Sequence, residues 1–346
     1  MSDAPLETLL RPFDQGLLPL PVIGQRVLIL RARRHRLWRH LPGDTLTFTQ
    51  PFKPAADELQ ADGWQVSDEQ QALQDGPWDL IFLLPPRGRE EARALMAHAV
   101  RALAPQGRLI VSVANNEGAK SVQSDLERLL GSVASDTKNK CRVLWTAPRD
   151  RLNIDEDTAA AWSAQTELRT QAQTGLWTRP GVFSWQHADP ASNLLIAHLP
   201  TDLRGHAADL GAGIGHLAIA LLQTNPGIVS LDAYEAQQQA LEPLQRNLQP
   251  LQREAHVHWH DVEAGLPSRY DVIVMNPPFH AISRDGRTDI GLRFIEVAAG
   301  ALKPRGQLLM VANRHLPYEE SIRRLFPRVA VLAEAQGFKV LHAWRE

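Results

Sequence analysis

YDVIVMNPPFH, residues 270–280, begins as an apolar run: Val272, Ile273, Val274 and Met275 have the β-branched character of a buried strand. The run stops at Asn276-Pro277-Pro278-Phe279. Each proline disfavours helical geometry in the residue before it, so Asn276 and Pro277 are both held extended. The two rings also fix φ twice and remove two N–H donors. The result is a stiff turn at a strand's carboxyl end, offering an amide side chain, backbone carbonyls and an aromatic ring. That set suits a planar group with an exocyclic amine: carbonyls accept from the amine while the ring stacks on the plane. A proline turn that only closes a strand is the plainer reading, and Asn-Pro-Pro alone does not decide between the two.

The same order of features occurs earlier in the chain. WDLIFLLPPR at 78–87 matches YDVIVMNPPF at 270–279, and ALAPQGRLIVSVANN at 102–116 matches ALKPRGQLLMVANR at 301–314 with one residue inserted. Both halves read strand, double proline, helix, Pro-x-Gly turn, strand, Ala-Asn. A repeat of this size predicts two copies of one α/β domain rather than a solenoid, and 346 residues suit two domains of about 150 each. The expected division is a degenerate copy over 1–155, a helical linker over 156–180 and a catalytic copy over 181–346. Arg328–Leu332 and Phe338–Trp344, with Ala333–Gly337 between them, predict an antiparallel hairpin finishing a mostly parallel sheet. The copies differ where chemistry would sit. Leu84 stands for Asn276, Arg87 for Phe279, and no glycine follows the strand Val27–Leu30.

In the second copy a strand from His206 leads into DLGAGIGHLAIAL, 209–221. Gly211, Gly213 and Gly215 allow positive φ and let a ligand approach the backbone. A dinucleotide fingerprint needs Gly or Ala at 216 for helix packing, and His216 stands there. The spacing, led by Asp209, suits a nucleoside ligand without a pyrophosphate. The next strand ends at Glu235, whose carboxylate can accept from both ribose hydroxyls. Asp232 competes, but alternation points it to the other side. A third strand, His256–His260, ends at Asp261, which can accept from an adenine amine. Each acid alone reads equally well as a cap or turn residue; three strand ends on one rim favour a ligand site. Asp189 or Ser192 is expected to cap the amphipathic helix that follows.

In the first copy, RARRHRLWRH at 31–40 is the densest basic cluster. Arginine forks suit phosphates, and Trp38 among them can stack on a base; Arg31, Arg33, Arg34 and Arg36 are the candidate RNA contacts against a plain solvated face. Net charge is −2, so no global field points to nucleic acid. The single cysteine, Cys141, excludes an internal disulfide and fits a reducing cytoplasm. No stretch approaches the ~18 apolar residues of a membrane span, and no signal peptide or metal-ligand spacing is evident. A cytoplasmic monomer is expected.

Asp209-Leu-Gly-Ala-Gly-Ile-Gly with Asn276-Pro-Pro-Phe resembles the class I S-adenosylmethionine-dependent amino-group methyltransferases. The degenerate first copy, GVFS at 181–184, NPPFH at 276–280 and VANRHLPY at 311–318 look like the ribosomal RNA guanine-N2 methyltransferases of the RsmC/RlmG type. That resemblance implies two tandem Rossmann-like domains, S-adenosylmethionine as cofactor, and a guanine N2 of ribosomal RNA, small-subunit 16S RNA or the subunit itself, as substrate. It implies that Asp209, Gly211, Gly213 and Gly215 hold the methionine part of the cofactor, Glu235 the ribose and Asp261 the adenine amine. Asn276 and the Pro277 carbonyl would accept from guanine N2, and Phe279 would stack on the flipped base. The chain departs from the pattern at DPAS, 189–192, which leaves Ser192 without an assigned part, and His280 is not assigned as a base. Other planar amines, in a protein glutamine or a DNA adenine, and a non-catalytic RNA-binding assembly factor are the alternatives.

Overall fold

The computed structural model describes residues 3–278, 290–315 and 318–346. The chain divides into two compact units, Met1–Glu167 and Leu168–Glu346. Among the described residues no helix is long and apolar enough to cross a membrane.

The first unit holds β1 (Val27–Leu30), β2 (Leu46–Thr49), β3 (Val66–Ser67), β4 (Trp78–Leu83), β5 (Leu103–Ala114), β6 (Ala134–Lys138) and β7 (Cys141–Trp145), in the order β3-β2-β1-β4-β5-β7-β6. The second begins with a small antiparallel pair, β8 (Arg169–Thr170) and β9 (Trp177–Thr178). It continues with β10 (Arg204–Leu210), β11 (Gly227–Glu235), β12 (Ala255–Trp259), β13 (Tyr270–Met275), β14 (Leu302–Asn313), β15 (Arg328–Ala335) and β16 (Phe338–Trp344), in the order β12-β11-β10-β13-β14-β16-β15. The two orders are the same. Each sheet is parallel up to its last two strands, which form the antiparallel hairpin.

Burial on both faces explains why the central strands read as unbroken apolar runs. Val272 and Val274 pack with the helices Pro190–Ile196, His216–Thr224 and Gln238–Leu248 on one face. Ile273 and Met275 pack with Ile290–Ala301 and Tyr318–Leu325 on the other. The closing hairpin is tighter than the sequence suggests. Gln336 and Gly337, at φ 53° and 85°, form a two-residue turn. Positive φ at both positions matches the strand twist, so pairing runs up to Ala335 opposite Phe338.

The stretch expected as a linker, 156–180, is divided between the units. Helix Glu156–Ser163 sends Ala159 and Trp162 into the first unit's core, while β8 and β9 belong to the second unit.

The first copy keeps the backbone of the second at its strand ends and changes what fills them. Arg31 follows β1 at φ 58°, as Gly211 follows β10 at φ 74°. Ala32 N–H donates to the Thr49 carbonyl at 2.9 Å, as Ala212 N–H donates to that of Tyr234 at 3.0 Å. Gln50 therefore takes the place of Glu235. Its Oε1 accepts from Phe52 N at 3.0 Å, but its amide donates to the Ala32 carbonyl, which a carboxylate cannot do. The Arg31 guanidinium turns inward and is clasped by Glu69, at 2.6 and 2.8 Å, and by Glu91, at 2.8 Å. Burial opposes its charge, but the two carboxylates win and hold its pKa above the usual value.

The structure changes how two residues of the basic cluster read. Arg31 is engaged in a largely buried ion triad with Glu69 and Glu91. Trp38 is fully buried among Phe48 and Phe82, with its Nε1 donating to the Arg33 carbonyl, so it is not a base-stacking platform. Arg33 pairs with Asp3 at 2.9 Å and Arg34 with both oxygens of Asp62 at 2.9 and 2.7 Å. Arg36 opens a short 3-10 turn on the surface.

Removing one partner of a largely buried ion cluster leaves the others uncompensated. Arg31→Ala is expected to cost about 3–5 kcal/mol of first-unit stability, read as a lowered denaturant midpoint for the full chain. A midpoint shift smaller than about 1 kcal/mol, the range of an exposed pair, would show that the triad is hydrated.

Candidate active site

Parallel pairing of β10 with β13 sets Leu210 opposite Met275. The glycine turn after Leu210 and the Asn-Pro-Pro turn after Met275 therefore emerge side by side at the carboxyl rim of the sheet. Gly211 and Ala212 both donate to the Tyr234 carbonyl, at 2.9 and 3.0 Å, which ties the turn to the end of β11. Gly211 and Gly213 line a small cavity together with Asn276, Asp189, Ser192 and Phe183. A Cβ on Gly213 would meet nothing within 4 Å, so the space beside it is open. Gly215 differs. It does not line the cavity, and a Cβ there would come to 2.7 Å from Leu244 Cδ1. Its lack of a side chain serves the start of helix His216–Thr224 and its packing.

Asp209 is fully buried at the end of β10. Its Oδ2 accepts from Ala218 N at 3.0 Å, and its Oδ1 has no hydrogen-bond partner among the described residues. Burial pushes its carboxyl up to about 7 against the Ala218 N–H, and the nearby Glu235 charge adds to the rise. Glu235, nearly buried, accepts from Gly213 N at 2.8 Å and Gln237 N at 2.7 Å. Burial raises its pKa, and these backbone donors hold the rise down. Asp261 caps the short turn Val262–Ala264, accepting from Glu263 N at 2.9 Å. Neither Glu235 nor Asp261 lines the small cavity. They stand at the carboxyl ends of β11 and β12, the next two positions along the rim. Asp232 is committed elsewhere: it accepts from Tyr270 Oη at 2.8 Å and meets His258 Nε2 at 2.7 Å.

Asn276 lies at the cavity wall with its amide held. Nδ2 donates to Asp189 Oδ2 at 2.7 Å and to Ser192 Oγ at 2.9 Å. The same Asp189 oxygen caps helix Pro190–Ile196 by accepting from Ser192 N at 2.7 Å. Pro277 is buried behind Asn276. Phe279 and His280 lie outside the described residues. Sequence reasoning reached Asp189 and Ser192 only as possible caps. Nothing local links them to Asn276, more than eighty residues away. Phe183, 65% exposed at the cavity, carries no sequence signal beyond its place in the GVFS string.

Residues 173–342 match the family described as Methyltransferase small domain. The ribosomal RNA small subunit methyltransferase C of Shewanella loihica is 31% identical over 270 residues, covering 76% of each chain. That of Shewanella amazonensis is 29% identical over 327 residues, covering 92% of this chain and 93% of its own. Among solved structures, the T. thermophilus 16S rRNA N2 G1207 methyltransferase RsmC, in complex with AdoMet and guanosine, superposes with a TM-score of 0.80 at 25% identity, covering 99% of this chain and 92% of that one. The tandem sheets with their single glycine turn, and this identity across most of both lengths, make the chain a member of the ribosomal RNA small subunit methyltransferase C family.

Proposed function

We propose that the chain transfers a methyl group from S-adenosylmethionine to the exocyclic N2 of a guanine in small-subunit ribosomal RNA. One observation carries this reading: a single cavity is walled both by the glycine turn and by Asn276. The residues present fit the cofactor. Asp209 carries a buried carboxylate oxygen without a partner among the described residues, Gly213 leaves open space beside the turn, and Glu235 and Asp261 follow at successive strand ends. Asp209 and the glycine turn would hold the methionine part, Glu235 the ribose and Asp261 the adenine amine. S-adenosylmethionine, when bound, supplies an electrophilic methyl group on a sulfonium.

The chain's own work is positioning. Asn276 Oδ1 and the Pro277 carbonyl accept the two N–H groups of the guanine amine and turn its lone pair towards the methyl. Phe279 is assigned to stacking on the flipped base. The amine needs no strong base, because the methylated nitrogen sheds its proton afterwards. All these residues lie on the second unit, which fits a monomeric enzyme. The ribosomal RNA partner implies a cytoplasmic activity. The first unit, with Arg31, Glu69, Glu91 and Gln50 where the second has its glycine turn and Glu235, is assigned to scaffolding and RNA contact. For that contact Arg33, Arg34 and Arg36 remain. Surface ion pairs such as those of Arg33 and Arg34 are weak, so RNA phosphates can replace the acids.

Loss of one aligned acceptor in a dry site is worth roughly 2–4 kcal/mol, by analogy with oxyanion-hole donors. Asn276→Ala should therefore lower kcat on RNA about a hundredfold or more while cofactor affinity stays within a few fold. Turnover near wild type would reduce Asn276 to a turn residue. Asp209 gives a pH-dependent outcome. Its folded pKa of about 7 lies above the ordinary 3.8, so the stability it contributes is present below 3.8 and is lost as pH rises through about 7. Asp209→Asn should gain thermal stability relative to wild type across that window. Calorimetry should find one cofactor per chain, with proton release near neutral pH that the variant lacks; no buffer dependence of the wild-type binding heat would remove Asp209 from the cofactor's polar end. Replacing Arg33, Arg34 and Arg36 together should weaken RNA binding and flatten its salt slope, leaving the cofactor constant unmoved. An unchanged slope in the salt titration would move the RNA path to the second unit.

A further inference from the structure

We infer that Asp189 is a positioning residue for methyl transfer, selecting which face of the Asn276 amide meets the substrate. The inference rests on the proposed function and assigns a part to a residue outside the Asn-Pro-Pro turn. An asparagine amide is nearly symmetric in shape but not in chemistry: rotated by half a turn, it presents two donors where it had an acceptor. An amine substrate needs the acceptor. The orientation at 276 is therefore as important as the residue.

Among the described residues two groups touch Asn276 Nδ2, and they are not equivalent. Ser192 Oγ, at 2.9 Å, is a hydroxyl that both donates and accepts, so it satisfies either orientation of the amide. Asp189 Oδ2, at 2.7 Å, is a carboxylate oxygen that only accepts, so it tolerates Nδ2 and repels Oδ1. Asp189 alone discriminates. It cannot turn away, because the same oxygen accepts from Ser192 N at 2.7 Å as the cap of helix Pro190–Ile196. That helix is anchored by Leu195, fully buried in the core against the sheet. Rigid secondary structure thus reaches Asn276 through one shared oxygen. Among the described residues nothing donates to Oδ1, the amide's acceptor at a wall of the cavity that the glycine turn also lines. A donor bonded to a carboxylate also polarises the amide and makes Oδ1 a better acceptor.

Capping and positioning can be separated, because serine caps a helix about as well as aspartate but its hydroxyl is one bond too short to reach Asn276. Asp189→Ser in the full chain should leave the thermal midpoint and the calorimetric cofactor constant near wild type and lower kcat on RNA about tenfold, the smaller end of what a hydrogen bond to a charged group is worth. Asp189→Asn keeps a carbonyl oxygen that Ser192 N holds in the same place and should recover most of that loss. Ser192→Ala should lower kcat by no more than about threefold. A second readout does not depend on catalysis: the Asn276 side-chain amide protons, followed by NMR, should be shifted downfield and protected from exchange in wild type and Asp189→Asn, and lose both features in Asp189→Ser. Wild-type kcat or wild-type amide signals in Asp189→Ser would overturn the inference, as would Asp189→Asn being as impaired as Asp189→Ser. Failure of the proposed function itself looks different: wild type would leave guanine unmethylated, or Asn276→Ala would keep its turnover, while the amide signals still responded to Asp189→Ser.

Discussion

The in-register parallel pairing of β10 with β13 is the constraint from which the site follows. Leu210 opposite Met275 brings two chain reversals to one rim, a glycine turn and a double-proline turn, from segments far apart in sequence. Neither turn encloses a cavity alone. The glycine turn gains rigidity from two backbone donors on one carbonyl, that of Tyr234, and from Glu235, which binds both Gly213 N and Gln237 N. The proline turn gains it from fixed φ and from the Asp189–Asn276 contact. The sheet beneath both is buried on its two faces, so the rim rests on the stiffest part of the unit.

The duplication shows what a ligand site costs and what remains when it is given up. Asp209 and Glu235 are carboxylates held in places that raise their pKa values, and Asp209 keeps an oxygen without a partner among the described residues. Such groups oppose folding unless something binds them. In the first copy the positions corresponding to Asp209 and Glu235 carry no carboxylate: Ile29 and Gln50 stand there. Arg31 is satisfied by Glu69 and Glu91, Gln50 by backbone on both sides of its amide, and Leu84 replaces Asn276 with an apolar side chain. Arg31 even tolerates a left-handed φ that glycine adopts without cost at 211. The same backbone therefore serves as a closed scaffold in one unit and as an open site in the other.

Much of this was legible in the sequence because it is written in local pattern. The double-proline strands, the Pro-x-Gly turns and the Ala-Asn ends repeat, and two copies of one α/β unit with a terminal hairpin follow from them. Apolar runs mark strands buried on both faces, and glycines and acids at strand ends mark the rim, because parallel sheets expose their carboxyl ends to ligands. Alternation along β11 separated Glu235 from Asp232, and the structure has the two facing different partners. The polar edge strand β6, ASDTK, carries no apolar pattern and left no sign.

What only tertiary structure decided is which polar side chain meets which. RARRHRLWRH reads as a basic surface with an exposed aromatic, yet Arg31 finds two glutamates in helices that follow it and Trp38 fills an aromatic core. Gly215 belongs to the glycine motif by spacing but to packing against Leu244 by contact. Asp189 reads as a cap, which it is, and its second hydrogen bond to Asn276 exists only once the helix Pro190–Ile196 packs on the sheet. Secondary structure and turn chemistry depend on residues a few positions apart and so survive in the linear pattern. Partnerships between buried polar groups depend on distances that the fold alone creates, and a sequence of residue types carries no record of them.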